Sequence, residues 1–125
     1  MNLVKKKVLI IEDEKNIALA EGMILGSNFK IHYANDGESG LKMAEKVKPH
    51  LIILDLMLPK RGGHDICFNI RQNKNLKDTK IVMVTAKTLD EDEEKGMFIG
   101  ADDYIAKPFE PEELLHVVNQ VLNEK

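Results

Sequence analysis

Five polar residues interrupt an otherwise apolar framework, and their types suit phosphoryl chemistry. They are Glu12 and Asp13 in VLIIEDE, Asp55 in LIILDLMLP, Thr85 in IVMVTA and Lys107 in DYIAKPF. If the carboxylates meet, each ionised pair at about 4 Å repels by roughly 4 kcal/mol at an effective dielectric near 20. Raised pKa values are one relief, and an oxygen-liganded Mg²⁺ ion is another. Lys107 would offset the charge that remains. A carboxylate can also serve as a nucleophile, giving an aspartyl phosphate whose oxygens a hydroxyl and an ammonium then hold. On that scheme Asp55 attacks, Asp13 and Glu12 hold the metal, and Thr85 and Lys107 grip the phosphoryl group. Taken singly, each residue has a plainer account: Asp55 as a turn or cap residue, Glu12 and Asp13 as helix caps, Thr85 as an ordinary strand end. Their shared placement is what raises them above it.

That placement comes from the elements around them. VLII (8–11), LIIL (51–54) and IVMV (81–84) are continuous apolar runs of strand length, as expected for parallel strands buried on both faces. KIHYA (30–34) and DYIA (103–106) are weaker strands, expected near the edges. Helix-length segments lie between them, with apolar residues recurring at Ile17, Ala20 and Ile24, at Leu41 and Ala44, and at Ile66 and Ile70. The last helix begins near Pro111, carries Glu112 and Glu113 at its positive end, and presents Leu114, Leu115, Val118, Val121 and Leu122. The segment 88–99 is the least helical of the five. Strand and helix alternate five times, which predicts a doubly wound α/β sheet with helices on both faces. In such sheets the functional crevice lies beyond the carboxyl ends of the strands, where all five residues fall.

Bulk properties agree with one domain over 1–125. The chain has 125 residues, 43% hydrophobic and 31% charged, with a net charge of -3 that leaves no nucleic-acid or anionic-membrane footprint. The basic start MNLVKKK precedes an apolar run too short for a signal peptide, no apolar run approaches a membrane span, and the single Cys67 excludes an internal disulfide. A cytoplasmic protein is expected. His32, His50, His64 and His116 lack metal-ligand spacing, Cys67 reads as core, and Gly62–Gly63 reads as a flexible turn.

VLIIEDE, LIILDLMLP, IVMVTA and GADDYIAKPF, in that order and spacing, resemble the receiver domain of two-component response regulators, the CheY-like family. The resemblance covers essentially the whole chain. It implies a single-domain flavodoxin-like (βα)5 fold with a five-stranded parallel sheet in the order 2-1-3-4-5. It implies Asp55 as the residue phosphorylated from a sensor histidine kinase or a histidine phosphotransfer protein, with Mg²⁺ as cofactor. Asp13 and Asp55 would be direct metal ligands, Met57 would lend its backbone carbonyl, and Glu12 would act through a water. Lys107 would precede a cis Pro108, and Thr85 and Tyr104 would be the switch pair. Met57 and Lys87 would flank the phosphoryl group. The partners implied are the kinase or phosphotransfer protein and a downstream protein target in trans, with no nucleic acid and no membrane. The domain would be a signalling switch that catalyses only its own phosphorylation and dephosphorylation.

Three features depart from the family pattern: Glu12 with Asp13 in place of two aspartates, KRGG after Pro59 in place of a Met-Asp-Gly ending, and an acidic block in TLDEDEEKGMFIG where the fourth helix begins. That block bears on the partner-facing surface made by the fourth helix, fifth strand and fifth helix. Two other functions compete. A Mg²⁺-dependent phosphohydrolase would need a second aspartate two residues after Asp55, where Met57 stands. A binding module without phosphorylation would have no need of the full set Asp13, Asp55, Thr85 and Lys107. Either a stand-alone receiver or a fragment of a longer regulator would end directly after the last helix; the initial Met and the absence of a trailing linker make the first the expectation.

Overall fold

The computed structural model describes residues 4–86 and 100–123. Lys87, the acidic block and the helix expected over 88–99 lie outside the described residues. Five strands, β1 (Lys6–Ile11), β2 (Phe29–Ala34), β3 (Leu51–Asp55), β4 (Lys80–Thr85) and β5 (Asp103–Ala106), form one parallel sheet in the order β2-β1-β3-β4-β5. Helices α1 (Lys15–Leu25), α2 (Gly37–Val47) and α3 (Gly63–Gln72) follow the first three strands, and a C-terminal helix (Pro111–Leu122) follows the fifth. This is the doubly wound, flavodoxin-like order expected from the sequence.

Alternation along the strands splits the core in two. Leu9, Ile11, Ile52, Leu54, Ile81 and Met83 pack on the face covered by α2 and α3, with Ala44, Ile66, Cys67 and Ile70. Val8, Ile10, Leu51, Ile53, Val82, Val84 and Ile105 pack on the opposite face against α1 and the C-terminal helix. Because side chains on a strand alternate in direction, a run such as LIIL serves both cores, which is why these runs are apolar without a break. Each fully buried Leu or Ile contributes roughly 1.5–3 kcal/mol.

Local chemistry fixes the helix ends. Asp36 caps α2 by accepting from Ser39 N at 2.8 Å, and Glu113 reaches back to Glu110 N at 2.9 Å at the start of the C-terminal helix. Arg71, late in α3, donates to Gly100 O, Thr79 O and Asp102 Oδ2, and Asp102 also accepts from Ile81 N. One guanidinium thus ties α3 to the entrances of β4 and β5.

Two expectations need correction. The inward face of α1 is Ala18, Glu21, Gly22 and Leu25, whereas Ala20 is exposed and Ile17 and Ile24 are only partly buried. The buried face thus sits to one side of the apolar reading, with Ile24 at its margin against the core, and Gly22 on it leaves room for the Tyr33 phenol oxygen. The same face carries Glu21 inside, 1% exposed, with neither carboxylate oxygen hydrogen-bonded. Burial, foremost, pushes its pKa up to about 8. Gly62–Gly63, read as a flexible turn, is instead the start of α3: a Cβ on Gly63 would lie 2.7 Å from both Asp55 O and Leu56 Cα. No side chain fits there, because the obstacle is backbone.

Gly63→Ala should therefore cost on the order of 1–3 kcal/mol, read as a lower denaturant midpoint, while Gly62→Ala, whose Cβ meets nothing closer than 3.8 Å, should cost much less. Glu21 yields a pH-dependent expectation. A carboxyl whose folded pKa is raised stabilises least after it ionises, so its contribution falls as pH rises from about 4.5 to about 8. Glu21→Leu should exceed the wild type in stability at pH 8 by on the order of 1–3 kcal/mol, with the gap narrowing toward pH 5. Parallel loss of stability by both proteins between pH 5 and 8 would show that Glu21 does not titrate in that window.

Candidate functional site

Strand register brings the polar residues to one edge. Ile11 pairs with Leu54, so Glu12 and Asp55, the next residue of each chain, leave the sheet side by side. Asp55 pairs with Val84, placing Thr85 one step beyond it, and Thr85 pairs with Ala106, placing Lys107 one step further. Backbone bonds continue the ladder past the strands: Glu12 N donates to Ala34 O at 3.0 Å, Leu56 N to Val84 O at 2.9 Å and Lys107 N to Thr85 O at 2.7 Å. The Lys107–Pro108 peptide is cis.

The side chains converge. Carboxylate oxygens of Glu12, Asp13 and Asp55 lie within 4.8 Å of one another. Lys107 Nζ is 3.0 Å from Glu12 Oε1 and 3.6 Å from Asp55 Oδ2. Asp55 Oδ1 accepts from Met57 N at 3.0 Å, and Glu12 Oε2 accepts from Glu14 N at 3.1 Å. Glu12 and Asp55 are buried, Asp13 is exposed, and Thr85 is wholly buried. A cleft of about 590 Å³ opens on the Glu12–Asp13 side, walled by Leu19, Tyr33 and Met43.

Electrostatics follow from that crowding. Burial raises the Glu12 pKa to about 7, against the opposing bonds from Lys107 and Glu14, and Asp55 adds to the rise. For Lys107, burial works against the charged form, but the bond to Glu12 and the charges of Asp55, Glu12 and Glu21 outweigh it and hold the pKa above the usual lysine value. Close hard oxygen donors, one of them solvent-facing, fit a small divalent cation such as Mg²⁺.

Among the residues singled out from the sequence, Glu12, Asp13, Asp55 and Lys107 are brought together directly. Thr85 stands one residue further along the adjacent strand. Tyr104 is buried and pairs with Met83, two residues before Thr85, so Thr85 and Tyr104 project on the same face of the sheet. The dispersed histidines take no part: His50 Nδ1, for example, accepts from Lys7 N at 3.0 Å at the far end of the sheet. Glu21 stands outside the set that the sequence singles out. It lies within electrostatic reach of Glu12, Lys107 and Asp55, and its signal was the i, i+3, i+4, i+7 spacing of Ala18, Glu21, Gly22 and Leu25.

Comparison with known proteins agrees with this architecture. Residues 8–119 match the family model described as the response regulator receiver domain. The chain is 42% identical over 118 residues to the alkaline phosphatase synthesis transcriptional regulatory protein PhoP of Bacillus subtilis, covering 94% of this chain and 48% of PhoP. It spans about half the length of the curated relatives it matches. A putative response regulator from Chloroflexus aurantiacus superimposes with a TM-score of 0.92 at 33% identity, covering 97% of this chain and 100% of that one. The receiver domain of the sensor histidine kinase PA1611 from Pseudomonas aeruginosa, with a magnesium ion coordinated in its active-site cleft, gives a TM-score of 0.85 at 27% identity, covering 97% and 100%. On its sequence, its strand order and its acidic edge, the chain belongs to the response regulator receiver domain family of two-component signalling.

Proposed function

We propose that Asp55 accepts a phosphoryl group from the phosphohistidine of a sensor histidine kinase or a histidine phosphotransfer protein. The observation that carries this reading is the setting of Asp55: buried at the end of β3, 3.6 Å from the Lys107 ammonium and grouped with Glu12 and Asp13. One Asp55 oxygen attacks phosphorus as the phosphorus–nitrogen bond breaks, and the electron pair leaves with the donor imidazole. Lys107 then leaves Glu12 for the phosphoryl oxygens, and the Thr85 hydroxyl takes another of them. Asp13, Asp55 and the Met57 carbonyl would hold Mg²⁺ directly, with Glu12 acting through a water. When bound, the ion offsets the carboxylate charge and the charge on the transferring oxygens.

Transfer of Thr85 toward the phosphoryl group opens space on the face it shares with Tyr104, and Tyr104 occupies that space. The result is a shift between two packings of the surface around β5 and the C-terminal helix, which a downstream protein target reads in trans; the fourth helix expected to complete that surface lies outside the described residues. On this reading 1–125 is one receiver domain that works in the cytoplasm as a switch, its chemistry confined to its own Asp55. No described helix is long and apolar enough to cross a membrane.

Incubation with Mg²⁺ and acetyl phosphate, followed by intact-mass measurement, should give a single phosphoryl adduct that is absent from Asp55→Ala and strongly reduced without Mg²⁺. Lys107→Ala should slow uptake by roughly 10²-fold or more, the scale for losing one charge-stabilising group. An adduct that persists in Asp55→Ala would sink the assignment.

A further inference from the structure

The loop that follows Asp55 reads KRGG after Pro59, and the structure shows what holds it. Residues 56–63 leave and rejoin the sheet edge at one point, where Gly63 N donates to Leu56 O at 2.9 Å. Inside this closure Leu58 is buried, whereas Met57, Pro59, Lys60 and Gly62 are exposed. Lys60 sits at φ 66°, in the left-handed region, and Gly62 caps α3 without a side-chain bond. The tip is thus neither conformationally easy nor capped.

Arg61 supplies the tie. Its Nε donates to Asp65 Oδ2 at 2.7 Å in the first turn of α3, and its Nη1 donates to Glu38 Oε1 in the first turn of α2. Its Cβ lies 3.3 Å from where Gly37 would carry a Cβ, so Arg61 stands close to the start of α2 beside the Ile66 side chain, which comes closer still at 2.6 Å. Both carboxylates raise the Arg61 pKa, Asp65 first. A planar guanidinium can engage two carboxylates from two helices at once; an ammonium offers no such fixed fork.

We propose that Arg61 is a positioning residue: by pinning the loop to α2 and α3 it steadies the chain at Met57, whose N–H holds Asp55 Oδ1 at 3.0 Å, and with it the affinity of the acidic cluster for a divalent cation. This rests on the Mg²⁺ site described under Proposed function. The opposing account is an exposed ion pair of little consequence, since the partner side chains Glu38 and Asp65 are 64% and 51% exposed.

The test is a Mg²⁺ titration of the phosphate-free protein followed by backbone amide NMR shifts, with amide hydrogen exchange over 57–63 measured before metal is added. Wild type, Arg61→Ala, Arg61→Lys and Glu38→Gln are compared, with thermal melts in parallel. Arg61→Ala should weaken Mg²⁺ binding by roughly 3- to 10-fold, at or below the lower limit of the range for groups bonded to metal ligands, since Arg61 acts through the loop. It should speed exchange in the loop and leave exchange in β1, β3 and β4 unchanged. Arg61→Lys should recover only part of the affinity, and Glu38→Gln should reproduce part of the loss. Equal Mg²⁺ affinity in wild type and Arg61→Ala overturns the Arg61 assignment alone. A wild type that shows no Mg²⁺-dependent shifts overturns the metal site and this inference together.

Discussion

One ammonium, that of Lys107, sits against two of the three carboxylates that the sheet edge gathers, and much of the site depends on that imbalance. The strands leave no freedom to relieve it by moving apart. Glu12 and Asp55 follow residues paired across β1 and β3, and both strands are buried on both faces, so separating the acids would break the middle of the core. Protonation of Glu12, the contact with Lys107 and the approach of a cation are therefore alternative answers to one problem. Glu21 adds to it from behind, a buried acid with no hydrogen-bonding partner facing the same charges. A receiver built this way holds its acidic edge in a tense electrostatic balance that small changes in bound charge can tip.

The same strand geometry ties the edge to the interior. Thr85 and Tyr104 stand on one face because Met83 pairs with Tyr104 and side chains two apart on a strand point the same way. On the proposed switch, a shift of the hydroxyl at the edge would change the packing on the face that carries the buried Tyr104 ring. No long chain of intermediates is needed between the acidic site and β5.

Much of this was legible in the sequence because it depends on short-range pattern. Unbroken apolar runs at 8–11, 51–54 and 81–84 identify central parallel strands, and the residue following each run must then stand at the carboxyl edge. What could not be read depends on neighbours distant in sequence. The buried face of α1 includes Gly22, which makes room for Tyr33 of β2, and Glu21, so an apolar count along IALAEGMIL, led by Ala20 and Ile24, points to one side of it. Gly63 looks like any turn glycine until the backbone of Asp55 is seen against it. Arg61, in a KRGG stretch that reads only as unusual, acquires meaning through Glu38, which lies on a different helix.

The contact between Gly63 and the peptide of Asp55 has a bearing on how such proteins diversify. With Leu56 and Gly63 joined by a hydrogen bond, residues 57–62 form a loop closed at its neck, and the neck is set by backbone atoms rather than by side chains. Composition inside the loop can drift while the acid beneath it keeps its place. The place of the acid and the tuning of its metal are thereby under partly separate mutational control: the backbone neck holds Asp55, whereas Met57 and Arg61 lie inside the loop, where substitution would adjust the site without moving the acid.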